Sequence, residues 1–160
     1  MKKLVIFYSQ ANGNTKRIAE MISKKTGADI AAIDTVTPYT GSYDEIVNQG
    51  QEEVNRGFKP EIKDLDVNLS EYDEIIIGTP TWWYTMAPAV LTFLSNANLA
   101  GKKVALFQTH GGWPGHTLKD MKALCNGAEI IAETAVQFDS TGGDHLETPI
   151  AEIENWIKKI

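Results

Sequence analysis

The chain has 160 residues, is 42% hydrophobic and 22% charged, and carries 15 basic against 21 acidic residues for a net charge of −6. This length suits one domain, 1–160, with a real core, and the composition excludes disorder and fibre. The acid excess argues against a nucleic-acid binder, no apolar run approaches the roughly 20 residues of a membrane span, and a single cysteine precludes an intramolecular disulfide.

Residues 3–8 form an apolar run of strand length, too short for a signal peptide, and Ser9-Gln10 ends it without a cleavage-like site. A helix follows with Ile18, Met21 and Ile22 on one face and Gly27 as its stop. Residues 29–34 make a second short strand. Ser42 and Glu45 have capping-box spacing and open a helix ending near Gly57. Residues 73–78 form a third strand, and Pro88 starts a helix carrying Val90, Leu91 and Leu94. Residues 103–108 are a fourth strand, followed by a helix over 116–125. The lone Cys125 falls at its end, before Gly127, and reads as a buried thiol rather than a nucleophile. Neither Arg17 nor Arg56, the only arginines, follows it at phosphatase-loop spacing. A fifth strand lies within 129–138. Thr148-Pro149 opens a last helix with Ile150, Ile153, Ile157 and Ile160 at helical spacing.

The strands are apolar without alternation, so both sheet faces should be covered. Strands alternating with helices predict a three-layer, doubly wound α/β domain with a five-stranded parallel sheet. Ligands in such sheets bind beyond the carboxyl ends of the strands. The loops after the first, third and fourth strands are therefore the candidate site.

The first loop, residues 9–15, is short and polar. A helix N-terminus there offers unpaired N–H groups and partial positive charge to a phosphate, and Ser9, Asn12, Asn14 and Thr15 add donors. It is neither a Walker loop nor a dinucleotide G-x-G-x-x-G. A plain polar turn with an N-cap accounts for the same residues. The second loop contains Trp82, Trp83 and Tyr84 in succession. Neighbouring side chains cannot all face inward, so at least one ring meets solvent or a ligand. The third has Gly111, Gly112 and Gly115 around Trp113, which lets backbone approach a ligand closely. Its histidines, His110 and His116, have no cysteine or acidic cluster near them in sequence, so neither a zinc site nor an acid–base pair is expected. None of the three loops contains Lys or Arg.

These three motifs, at the ends of the first, third and fourth strands, resemble those of the short-chain flavodoxin family over essentially the whole chain. The resemblance implies strand order 2-1-3-4-5 and FMN as cofactor. Ser9, Ala11, Asn12, Gly13, Asn14 and Thr15 would wrap the phosphate. Pro80, Thr81, Trp82, Trp83 and Tyr84 would line the isoalloxazine ring. Thr109, His110, Gly111, Gly112 and Trp113 would close its other side. The family commonly has hydroxyl residues where Gln10 and Asn12 stand, and glycine where Ser9 stands.

The function implied is a low-potential one-electron carrier in the cytoplasm, with no catalytic residue, metal, membrane or nucleic acid, serving redox partner proteins that present a basic docking face. Adding charge to FMN beside an anionic phosphate, with no cation near, should lower its potential. The alternative is an NAD(P)H-dependent quinone or FMN oxidoreductase on the same fold. A phosphoacceptor signalling domain is disfavoured, because Gly78-Thr79-Pro80 and Ser9-Gln10 stand where aspartates would be needed.

Overall fold

In the apolar runs at 3–7, 74–78 and 103–107, successive side chains point to opposite faces of one sheet, and each face has its own helices to bury them. The computed structural model describes residues 2–10 and 13–160; the expected phosphate-loop residues Ala11 and Asn12 lie outside the described residues. In chain order the elements are β1 (Lys3–Phe7), α1 (Asn14–Thr26), β2 (Asp29–Ala32), α2 (Tyr43–Asn55), a 3-10 turn (Leu69–Glu71), β3 (Glu74–Trp82), β4 (Thr85–Met86), α3 (Pro88–Asn96), β5 (Lys103–His110), α4 (Thr117–Leu124), β6 (Glu129–Gln137) and α5 (Ile150–Ile157).

The parallel strands lie in the order β2-β1-β3-β5-β6, which is the predicted 2-1-3-4-5 order once the two-residue β4 is set aside. Leu4, Ile6, Ile75, Ile77, Val104 and Leu106 pack against Val90, Phe93 and Leu94 of α3 and Met121 of α4. Val5, Phe7, Ile76, Ala105 and Phe107 pack against Ile18 and Ile22 of α1 and Ile153 and Trp156 of α5. Burial on both faces holds for β1, β3 and β5. It does not hold for the outer strands: β2 is mostly exposed, with Ile30 at 42%, and β6 is only partly buried.

Two differences from the sequence expectation bear on the site. First, β3 runs four residues past Gly78, to Trp82, because Thr79 and Pro80 continue to pair with Gln108 and Thr109 of β5. The β1 ladder ends at the Phe7–Gly78 pair, so at Thr79 and Pro80 β3 pairs with β5 alone, and the missing N–H of Pro80 breaks no second ladder. Second, β3 turns back on itself. Trp82 pairs with Thr85 and Thr81 with Met86, leaving Trp83 and Tyr84 as a two-residue hairpin turn.

Candidate functional site

The carboxyl ends of β1, β3, β5 and β6 open into one cavity of about 530 Å³. Its lining includes Asn14 and Thr15 from the start of α1, residues 80–83 from β3 and its turn, and residues 109–111 after β5. The three candidate loops therefore converge. Thr15 Oγ1 and Thr109 Oγ1 share a buried hydrogen bond of 2.8 Å, which ties the first loop to the third. Gln108 Nε2 donates to Thr81 Oγ1 at 2.9 Å and to the Pro114 carbonyl at 3.1 Å, and Thr81 Oγ1 donates to the Thr109 carbonyl at 2.9 Å. These bonds lock the second loop against the third.

Gly13 caps the start of helix α1, and its φ of 72° is left-handed and suits glycine. The cap residue supplies no side-chain hydrogen bond, and the first turn carries no acid. Among the described residues, Ser9 Oγ alone reaches in, accepting from the Lys16 amide at 3.3 Å. The remaining N–H groups and the helix dipole make this end attractive to an anion. Asn14 Nδ2 donates to the Gly143 carbonyl at 3.0 Å, while its Oδ1 is buried and has no donor among the described residues. A buried acceptor in that state is a place for a ligand hydroxyl or N–H.

Trp82 turns inward. It meets Tyr8 and Tyr39 edge-on, with centroids 6.0 and 5.0 Å away. A Cβ on Gly50 would come within 3.0 Å of its ring, so this helix glycine seats α2 directly on the indole. Helix α2 is in turn held by buried Glu53, which accepts from the Tyr39 hydroxyl at 2.6 Å and from Gln49 Nε2 at 2.8 Å. Burial and the neighbouring carboxylates push the Tyr8 and Tyr39 phenols upward, so both stay protonated donors. Trp83 donates its indole N–H to the Val47 carbonyl at 2.9 Å.

His110 lines the cavity, and its Nδ1 accepts the Gly112 amide at 2.9 Å. The neutral ring therefore carries its proton on Nε2. Burial lowers its pKa and favours that neutral form.

Not every expected residue lines the cavity. Ser9 and Gly13 border an open depression with Lys16, Arg17 and Lys24 instead. Tyr84 and Trp113 border a smaller groove beside the cavity, and Gly112 lies in the turn that binds His110. Among the described residues the cavity lining contains no Lys or Arg, and its one carboxylate is Asp139. The outer side of the first loop, by contrast, has cations beside it: Lys16, Arg17 and Lys24 line the same depression as Ser9 and Gly13. A second correction concerns His116. Its Nδ1 bonds the Asp120 carboxylate one helical turn on, and Thr85 Oγ1 donates to the same oxygen at 2.6 Å. The acid partner was present at i,i+4 spacing.

Two further walls escaped the sequence argument. Tyr43, Ile46, Val47 and Gly50 of α2 cover one side. Their i, i+3, i+4, i+7 spacing announces an apolar stripe but not what it covers. Residues 138–143 close the other side. Asp139 organises this loop by accepting from the Thr141 amide and hydroxyl, the Gly143 amide and the His145 amide. Those bonds hold its carboxyl at about 2, well below the usual range.

Comparison with known proteins follows the same lines. The family model described as Flavodoxin matches residues 2–158. Flavodoxin 1 of Escherichia coli K12 is 29% identical over 106 residues, which is 64% of this chain and 46% of that protein. The chain thus spans about half the length of the curated relatives it matches. Among solved structures, a flavoprotein from Bacteroides eggerthii superposes with a TM-score of 0.79 at 26% identity, covering 98% of this chain and 96% of its own. A Lactobacillus acidophilus flavoprotein solved in complex with FMN superposes with a TM-score of 0.75 at 21% identity, covering 97% of both chains.

Proposed function

The chain belongs to the flavodoxin family, and from that premise we propose that it binds one FMN in the cavity at the carboxyl end of the sheet and carries single electrons at low potential between redox proteins. One observation carries the reading. The cavity joins a helix N-terminus whose cap is a glycine, a buried acceptor with no donor among the described residues, and an aromatic wall, in a volume of about 530 Å³. An anionic phosphate, a hydroxyl-bearing chain and a flat ring answer those features in that order, so the residues present fit FMN.

The start of α1 would take the phosphate, with residues 9–15 offering backbone N–H groups and Ser9, Asn12, Asn14 and Thr15 adding side-chain donors. Asn14 Oδ1 would take a hydroxyl of the linking chain. Pro80, Thr81, Trp82 and Trp83 would face the ring, with Thr109, His110 and Gly111 opposite. When bound, FMN supplies a centre that accepts and returns electrons one at a time. The chain's own part is to orient and shield it. Helix α2 and the 138–143 loop exclude water, while His110 holds a neutral N–H donor at the wall. The net charge of −6 would steer docking of basic partners, weakly and with salt sensitivity.

Titrating the colourless protein with FMN should quench flavin fluorescence to saturation at one equivalent; failure to take up FMN overturns the reading. Anaerobic mixing of the loaded protein with NADPH should leave the flavin colour unchanged. Rapid bleaching would instead make the chain an NAD(P)H-dependent oxidoreductase.

A further inference from the structure

Helix α1 carries Lys16, Arg17, Lys24 and Lys25 against the single acid Glu20, in a chain whose net charge is −6. Helix α2 has the opposite balance, with Asp44, Glu45, Glu52 and Glu53 and no cation. Charge is therefore sorted by element. Thr15, Ile18, Ala19 and Ile22 are the buried side of α1, so helical periodicity turns Lys16, Arg17, Glu20 and Lys24 outward. With Met21 they line an open depression of about 800 Å³. A second depression, of about 380 Å³, follows along the same helix. Lys24 lines the first, and its neighbour Lys25 lines the second together with Lys3, Lys158, Ile157 and Ile160.

Little of this positive charge is neutralised within the chain. Arg17, Lys24 and Lys158 form no ion pair among the described residues. Arg17 instead donates to the Asp144 carbonyl at 3.4 Å and lies 5.9 Å over the Phe138 ring, which orients the guanidinium and leaves its charge unanswered. Lys16 pairs with Glu20 at 3.9 Å and Lys25 with Glu154 at 3.6 Å, exposed pairs of little strength, and Lys3 reaches buried Glu74 at 3.8 Å. A helix of 13 residues is about 20 Å long, which an extended segment of about six residues spans. Met21, Ile157 and Ile160 place apolar surface between the charges, so the strip suits carboxylates interspersed with aliphatic side chains. Neither lining has an aromatic ring for a nucleobase to stack on, and none of the exposed large apolar side chains that could enter a bilayer lies in it. Acids elsewhere on the chain repel a long polyanion, whereas screening over about 8 Å hides them from a short segment.

We propose that the outer face of α1, with the C-terminal end of α5, is a docking strip for an acidic segment of a partner protein. None of its six cations lines the cavity at the carboxyl edge of the sheet, and Ser9 and Gly13, at the margin of the first depression, are left to the phosphate loop. The proposal does not depend on the FMN reading. Its test titrates the ¹⁵N-labelled chain with a glutamate-rich peptide that carries interspersed leucines and is blocked at both ends. Saturable shifts are expected at the Lys16, Arg17, Lys24, Lys25 and Lys158 amides, with affinity falling as salt is raised. The same peptide with lysine in place of glutamate should leave these signals unmoved. Arg17→Glu combined with Lys24→Glu should weaken binding about tenfold or more. Lys59→Glu combined with Lys119→Glu changes the net charge equally, at exposed positions off the strip, and should alter binding less than twofold. Dispersion of the amide spectrum shows that each variant is folded. Absence of saturable shifts, shifts centred elsewhere, or equal loss in the two variant pairs overturns the proposal. So does tighter binding of polyphosphate or phosphatidylglycerol vesicles at the same residues, which would assign the strip to another class of polyanion.

Discussion

Asp139 concentrates into one side chain the task of shaping a whole wall of the site. Its carboxylate accepts four hydrogen bonds from residues 141, 143 and 145, and its pKa is lowered to about 2 by those donors, the Thr141 hydroxyl first. A carboxyl depressed on folding contributes stability above its ordinary value of 3.8, and that contribution is lost as pH falls toward 2. The Gly143 and His145 amide signals should therefore follow an acid transition with a midpoint near 2, absent in Asp139→Asn. A midpoint near 4 would mean that the carboxylate does not hold the loop. Cys125 is a second case. It is buried, its thiol donates to the Met121 carbonyl, and burial pushes its pKa up to about 11. Alkylation at pH 8 should run roughly a hundredfold slower in the native chain than in urea, because the thiolate is the reacting form. Equal rates would refute its burial. That the thiol is buried was legible from a helix-end position before Gly127. The role of Asp139 was not, since its partners lie in an irregular loop that no periodicity marks.

Among elements, the β3–β4 hairpin departs most from its local sequence. Three successive aromatics after an apolar strand predict a loop, and the structure instead continues the strand and reverses it over Trp83-Tyr84. Pairing with β5 decides the continuation, and pairing is a tertiary contact. Positive φ at both Trp83 and Tyr84 strains the tip. Tyr84 sits at φ 70°, so Tyr84→Gly should raise stability to urea by about 0.5–1 kcal/mol, since glycine adopts positive φ freely. A loss of stability would show that Tyr84 contacts outweigh its backbone strain. Helix boundaries, by contrast, were legible where chemistry marked them. Ser42 accepts from the Glu45 amide at 3.2 Å as the capping box requires, Pro88 opens α3, and Gly27 ends α1 with φ 75°.

For the whole molecule, the distribution of charge matters more than its sum. Among the described residues the cavity lining offers no cation and one carboxylate that stays ionised. An electron added there raises negative charge in a region of low dielectric without a counter-ion. The second one-electron potential of bound FMN should accordingly lie below that of free FMN in a spectroelectrochemical titration. A value at or above the free one would overturn the low-potential reading. Lys16 and Arg17 stand at the start of α1, along the depression outside the first loop, and not at the aromatic end.

By itself the sequence determined the alternation of strands and helices, the parallel sheet and the three loops that meet at its carboxyl edge. Those follow from apolar runs, capping residues and glycines, which act over a few residues and are readable in order. Only the tertiary structure decided which aromatic faces inward, that α2 seats on Trp82 through Gly50, and that a fourth loop held by Asp139 closes the cavity. It also decided that Tyr84 and Trp113 line a groove of their own. Each of these depends on contacts between segments tens of residues apart, whose geometry is set by how the sheet stacks its helices and not by any local preference.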